Sequence, residues 1–221
     1  MAKIVGVHGI MNQQRGRHQL IRTWGPALAD GIERAASRPV VIPEMDIAFY
    51  GDLFLPVDAM NGPKGTLAEG LNLTDDDADA LAPIVEEISG QEGLNDMEDE
   101  NVKGRTRVPL AVQRLLRLLD RRFQSRAASL LFVGELKQVR RYLLDPTLKA
   151  EVDERVTTAV RQGCRVLIGH SLGSVVAFEA IRQQPHHEIR LLLTLGSPLS
   201  LQTVQALMPN STYGSHWPPQ Y

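Results

Sequence analysis

The most constraining feature of this sequence is a glycine-flanked serine between a strand pattern and a helix pattern. Gly169-His170-Ser171-Leu172-Gly173 follows the apolar run at residues 164–168 and opens a helical pattern over residues 172–183. A G-x-S-x-G sequence in this setting predicts a sharp turn that lifts the serine hydroxyl clear of a sheet, at the N-terminus of a helix. The pattern therefore indicates a nucleophilic Ser171.

The rest of the chain alternates strand patterns with helix patterns. Buried-type strands are predicted at residues 3–7, around residues 47–50 and at residues 189–195, and helices at residues 19–36 and 148–162. Alternation of this kind favours right-handed crossovers and a mainly parallel sheet with helices on both faces. We expect one α/β domain over residues 1–221.

Composition narrows the classes of partner and cofactor. Lys and Arg number 24 against 26 Asp and Glu, a net charge of −2, so the basic excess of a dedicated nucleic-acid binder is missing. Cys164 is the one cysteine, so neither an internal disulfide nor a thiolate metal cluster can form. The apolar N-terminal stretch is too short for a signal peptide, and no stretch approaches the length of a membrane span. We expect a cytoplasmic protein.

Residues 53–144 read as a charged helical insertion. The segment 75–100 holds eleven acids and no Lys or Arg, whereas 103–141 holds eleven bases and only Asp120 and Glu135 as acids. Leucines recur among the bases at helical spacing, which predicts at least one basic amphipathic helix. Two interpretations stay open. The two segments lie near each other as solvated faces, or the apolar residues 130–133 form a tip that meets lipid at a membrane surface, or substrate.

A nucleophilic serine also needs donors for the oxyanion that forms on the attacked carbonyl. The backbone N–H of Leu172 is one candidate. The other is expected from the turn after the first strand, where His8-Gly9-Ile10-Met11 stands, and we assign it to the N–H of Ile10 or, failing that, of Met11.

Together these residues resemble the α/β-hydrolases, and among them the serine esterases and lipases with an HG turn and a GHSLG elbow. Val-His-Gly-Ile near the start, Tyr50-Gly51-Asp52, the GHSLG elbow and Thr-Leu-Gly-Ser-Pro at residues 194–198 are similar to bacterial relatives of the lipase and inositol-deacylase branch. The resemblance implies Ser171 as nucleophile, an oxyanion hole at Ile10, and ester hydrolysis through an acyl-enzyme without metal or organic cofactor.

The sequence departs from that family after the serine, where an acid and then a histidine are expected. The acids beyond Ser171 are Glu179, within the elbow helix, and Glu188, at the opposite edge of the sheet, and neither suits the role. His216 is the one late candidate for the base. His8 and His170 are interpreted as supporting residues beside Gly9 and the nucleophile, and His186 and His187 fall at the wrong end of the sheet. We expect a truncated hydrolase, or one completed by a partner chain.

A calcium loop is a weaker interpretation of the acidic segment. Asp75, Asp77 and Asp79 followed by Glu86 have the ligand spacing of an EF-hand, but Ala80 stands where the turn needs glycine and Pro83 interrupts the loop. A helix capped by Thr74, with the aspartates at its positive N-terminal end, is the better prediction. We predict no metal.

Three functions follow as hypotheses. The first is hydrolysis of a small-molecule or lipid-like ester with an apolar acyl part through acyl-Ser171. The second is an inactive hydrolase fold that serves as a binding or assembly module, with the charged insertion as its contact surface. The third is acyl transfer by Ser171 to an acceptor other than water.

Overall fold

The computed structural model describes residues 4–41, 43–55, 71, 73–89, 110–161, 163–183 and 188–209. Its sheet has four strands in the order β2-β1-β3-β4, and every neighbouring pair is parallel. The strands are β1 (Ile4–Val7), β2 (Met45–Ala48), β3 (Val166–His170) and β4 (Leu191–Leu195). The predicted parallel α/β architecture is confirmed at this level.

Seven α-helices surround or extend this sheet in the described residues. They are α1 (Arg17–Ala36), α2 (Asp75–Ser89), α3 (Leu110–Phe123), α4 (Arg126–Leu144), α5 (Pro146–Val160), α6 (Leu172–Gln183) and α7 (Gln202–Leu207). Short 3₁₀ helices follow β2 at Gly51–Phe54 and β4 at Pro198–Ser200. Parallel strands need a long connection, because the chain must travel back from the end of one strand to the start of the next. Helices provide these connections here.

Several predicted boundaries differ from those in the structure, and two of the differences have identifiable reasons. Helix α5 begins at Pro146, because the carboxylate of Asp145 accepts hydrogen bonds from the backbone N–H groups of Thr147 and Leu148 at 3.1 and 3.0 Å. Strand β2 ends at Ala48, within the stretch 47–50 on which the predicted strand was centred. The backbone N–H of Tyr50 donates to a side chain, His8, at 3.2 Å, and so the chain leaves the sheet there.

Successive residues of β1 pack on opposite faces of the sheet. Val5 and Val7 belong to the large apolar cluster that includes residues of α5 and α6. On the other face Gly6 lies under α1, so closely that a Cβ at position 6 would be 2.9 Å from Cε3 of Trp24. Helices therefore cover both faces at β1, as the sequence pattern predicts.

The helices between β2 and β3 pack together and onto the sheet domain. Lys137 of α4 pairs with Asp77 of α2 at 2.8 Å, so the basic and acidic segments do lie beside each other there. Glu87 of α2 accepts hydrogen bonds from the backbone N–H groups of Gln202 and Thr203 at 2.6 and 3.0 Å, which ties α2 to α7. These contacts fit the first of the two interpretations of the insertion.

Residues 130–133 do not form an apolar tip. They lie within α4, where Val133 is buried and the ring of Phe132 packs 5.2 Å from that of Phe123. Leu131 is the exposed member of the run, at 38%. The prediction of a free apolar tip is wrong because Val133 is buried and Phe132 packs against Phe123, which leaves Leu131 as the exposed side chain of the four. None of the helices in the described ranges combines the length and apolar character needed to cross a bilayer.

Candidate active site

Ser171 occupies the single residue between β3 and α6, in the left-handed region with φ of 58°. Residues other than glycine seldom adopt this conformation, and those that do are concentrated at functional sites. Its backbone is held on both sides. The N–H of Ser171 donates to the carbonyl oxygen of Leu195 at 2.9 Å, and its carbonyl oxygen accepts from the N–H and the hydroxyl of Ser174 at 2.9 and 2.6 Å.

The two glycines of the motif are required by close approach of neighbouring backbone. A Cβ at Gly173 would collide with the carbonyl oxygen of Val7 and lie 2.6 Å from that of His8. A Cβ at Gly169 would lie 2.5 Å from Cα of Ser174. Since backbone atoms cannot move aside as a flexible side chain can, only glycine fits at either position.

The turn after β1 lies directly against the serine. A Cβ at Gly9 would be 2.6 Å from Cβ and 2.8 Å from Oγ of Ser171. The side-chain amide of Asn12 donates to the carbonyl oxygens of Gly9 and Ile10 at 3.0 and 2.9 Å, and Met11 has a positive φ of 63°. The structure thus brings the predicted oxyanion turn and the predicted nucleophile together.

Three backbone N–H groups near the serine are unpaired among the described residues: those of Ile10, Met11 and Leu172. That of Leu172 lacks an intrahelical acceptor because it belongs to the first turn of α6. Asn12, which stabilises the turn, was not identified from the sequence. An asparagine just after a glycine turn, where its side chain can bond nearby backbone, was the available signal.

His8 is buried and fully engaged as a neutral ring. Nδ1 lies 2.9 Å from the carbonyl oxygen of Gly9, and Nε2 accepts from the N–H of Tyr50 at 3.2 Å, so the proton is on Nδ1. Burial lowers the pKa of His8 to about 4. The ring stacks on Tyr50 at 4.2 Å, and the Tyr50 hydroxyl donates to the carbonyl oxygen of His8. His8 is therefore placed to support the turn rather than to accept a proton.

His170, next to the nucleophile, is directed toward α1. Its ring meets the edge of Trp24 with centroids 6.3 Å apart, and burial lowers its pKa. Neither described histidine near the elbow hydrogen-bonds to Oγ of Ser171. His216, the predicted base, lies outside the described residues, as do His186 and His187.

A carboxyl group that the sequence did not single out lies beside the serine. Glu135 of α4 is near enough for the Ser171 hydroxyl to lower its pKa, while burial acts more strongly and raises that pKa to about 7. Oε1 of Glu135 and Oγ of Ser171 are both buried, and neither makes a hydrogen bond of standard geometry with the described residues. The triad order of the α/β-hydrolases predicts an acid after Ser171, and Glu135 precedes the serine in the chain. The available signal was an acid among apolar positions of a basic helix.

The two acids that the sequence did consider are engaged elsewhere. Glu179 is fully buried on α6, where it pairs with Arg182 and lies 3.5 Å from Lys149. Glu188 lies 3.3 Å from Arg165, at the amino end of β3. Ser197, which follows β4, hydrogen-bonds to the hydroxyl of Ser174 at 2.6 Å and so holds the start of α6.

The described residues hold no cluster of three His, Cys, Asp or Glu side chains arranged to bind a metal ion. Asp75, Asp76 and Asp77 form the first turn of α2 rather than a loop. Oγ1 of Thr74 accepts from the N–H of Asp77 at 3.2 Å, and the Asp77 carboxylate accepts from the N–H of Thr74 at 2.9 Å. The predicted helix cap is confirmed.

Comparison of this chain with family models, curated proteins and solved structures finds no match. Its function is therefore inferred from the residues around Ser171 alone.

Proposed function

We propose that this chain is a serine hydrolase of the α/β-hydrolase type that cleaves a carboxylic ester through an acyl-Ser171 intermediate. The observation that carries the proposal is the state of Ser171 itself. Its hydroxyl is buried without a hydrogen bond of standard geometry, on a left-handed turn, directly against Gly9. A structural serine in such a place would be expected to satisfy its hydroxyl, because an unpaired buried polar group is costly.

The unpaired amides supply the second requirement of the reaction. When Oγ attacks the ester carbonyl, negative charge develops on the carbonyl oxygen. The N–H groups of Leu172 and Ile10, with that of Met11 as the alternative, come from the two turns that meet at Ser171. Removing one such donor costs about 10²- to 10³-fold in rate in enzymes of this kind.

The substrate class is part of the proposal. An ester with an apolar acyl part would find an apolar contact in Met11, which is 48% exposed on the turn beside the serine. Water then releases the acid from Ser171. Transfer of the acyl group to an alcohol or amine uses the same intermediate and differs only in the acceptor.

A second candidate is an inactive hydrolase fold that binds a partner. It is favoured by the lack of a hydrogen bond between Oγ of Ser171 and any described histidine. A triad serine without its base keeps only a small part of its rate. Retention of the bound partner by Ser171→Ala would favour this second candidate over the enzyme.

The first test is covalent labelling of the full chain with a fluorophosphonate, read by intact mass and peptide mapping. We expect one label on Ser171 and none in Ser171→Ala. Ser200→Ala, which alters an exposed serine on the 3₁₀ helix after β4, is the matched control and should label like the parent. An unlabelled parent that is folded, as judged by circular dichroism, would contradict the hydrolase proposal.

A further inference from the structure

Ser171 and Glu135 form a pair that the rest of the molecule does not explain. The two residues belong to different layers, one on the elbow of the sheet and the other on α4 of the insertion. Each has a buried oxygen without a hydrogen bond of standard geometry among the described residues, and the two groups are close enough to interact. Burying a carboxylate oxygen without a satisfied hydrogen bond is costly, so the place of Glu135 beside the serine calls for a functional reason.

We propose that the Glu135 carboxylate is the general base that takes the proton from Oγ of Ser171. This inference rests on the proposed hydrolase function and extends it. It assigns to an acid of the helical insertion the role that the sequence assigned to His216.

Many of the charged groups on the elements packed around α4 have partners other than Glu135. On α2, Asp77 pairs with Lys137 and Glu87 holds α7, and on α3, Asp120 pairs with Arg126. On α5 and α6, Lys149 lies between Asp153 and Glu179, and Glu179 pairs with Arg182. Arg155 of α5 pairs with Asp52, and His8 is neutral. The influences on the Glu135 pKa are its burial and the Ser171 hydroxyl.

The proposed step balances without a further reactant. The Oγ–H bond of Ser171 breaks and its proton goes to a carboxylate oxygen of Glu135, while an Oγ electron pair forms the bond to the ester carbon. The carbonyl π electrons move to the oxyanion. They return as the bond to the leaving alkoxide breaks, and that alkoxide takes the proton from Glu135. Water then repeats the sequence on the acyl-enzyme, giving acid, alcohol and free Ser171.

The protonation state of Glu135 suits this role near neutral pH. Burial raises its pKa to about 7, so the carboxyl is largely protonated below that pH and ionised above it. A general base is most effective when its pKa lies near the working pH. Labelling of Ser171 should therefore rise with pH through the neutral range and then level off.

The experiment compares the rate of fluorophosphonate labelling from pH 5 to 9 in four full-length proteins: the parent, Glu135→Gln, Glu151→Gln and His216→Ala. Glu135→Gln keeps the shape of the side chain and should lower the rate at pH 8 by about 10²-fold or more, the scale of general-base catalysis. It should also remove the rise through pH 7. Glu151→Gln, which alters an exposed acid on α5, is the control and should follow the parent. His216→Ala tests whether the histidine predicted from the sequence is the base instead.

Two results would overturn the inference. One is a Glu135→Gln rate within about threefold of the parent with the pH profile unchanged. The other is an equal loss in His216→Ala, which would mean that the histidine stands between serine and acid. Either result leaves Ser171 labelled in the parent, so the hydrolase proposal survives it. A parent that is not labelled at all would instead remove both. Circular dichroism and urea unfolding show whether each variant is folded.

Discussion

The two halves of the candidate site are built in opposite ways. The elbow half is backbone: Ser171, Gly173 and the β1 turn are held by main-chain contacts and carry no charge. The other half is one side chain, Glu135, whose burial makes ionisation unfavourable. The elbow is thus expected to contribute to stability as well as to function, whereas Glu135 is expected to lower stability in exchange for reactivity. Substitutions in the two halves should therefore separate stability from rate.

The largest effect is expected from Gly173→Ala. The added methyl group would meet the backbone oxygens of Val7 and His8, which cannot move without shifting β1. We expect a loss of about 3 kcal/mol or more in the free energy of unfolding, measured with urea. Labelling of Ser171 should fall with it.

The control for this change is Gly25→Ala in α1, where a Cβ would meet nothing within 4 Å. An alanine there should be neutral or stabilise the helix by up to about 1 kcal/mol. Equal losses of unfolding free energy in the two variants would show that Gly173 is no more constrained than Gly25. The comparison between the two halves of the site would then fail.

The second effect has the opposite sign. Glu135→Gln is expected to gain stability relative to the parent as the pH rises. The folded pKa of Glu135 is raised from 4.5 to about 7, so the folded state binds this proton more tightly than the unfolded chain does. The parent should lose stability relative to the variant as pH rises from about 4.5 to 7, and the full difference should persist above pH 7. At about 1.4 kcal/mol per pKa unit, the relative gain of Glu135→Gln between pH 4.5 and pH 8 is about 3 kcal/mol.

Urea unfolding of both proteins at these two pH values measures that difference, and any pH-independent cost of the glutamine cancels. If the difference in unfolding free energy between Glu135→Gln and the parent is the same at pH 4.5 and pH 8, the pKa of Glu135 is not raised in the folded state.

The smallest effect tests the contact between the halves. The Ser171 hydroxyl lowers the pKa of Glu135, so Ser171→Ala should raise it further. Carbon-13 NMR titration of the glutamate carboxyl groups, with Glu135→Gln to assign the resonance, measures the change. A Glu135 titration that is identical in the parent and in Ser171→Ala would place the carboxyl out of reach of the serine.

The elbow could be predicted from the sequence because its signals are local. Gly169, Ser171 and Gly173 stand within five residues, between a strand pattern and a helix pattern, and α6 has the predicted bounds. The pairing of Gly9 with Ser171 followed one step later, since neighbouring parallel strands end at the same edge. The β2 boundary was wrong because Tyr50 leaves the sheet to bond His8, a contact between residues far apart in the chain.

Glu135 could not be assigned in this way. Its sequence neighbours suggest a solvated basic helix, and its role depends on how α4 packs against α6. The same is true of Glu179, which the sequence places on the elbow helix and the fold buries against Arg182. For both residues, packing determines the environment of the carboxylate.

By itself, the sequence determined the parallel α/β arrangement, the turn at Ser171 and the need for glycine at that turn. These depend on steric limits and hydrophobic periodicity, which act over a few residues. Only the tertiary structure decided which carboxyl group lies beside Ser171 and which ring nitrogen of His8 carries the proton. Charge and burial act through space, so the chemistry of Glu135 and His8 follows from neighbours that the order of residues along the chain does not specify.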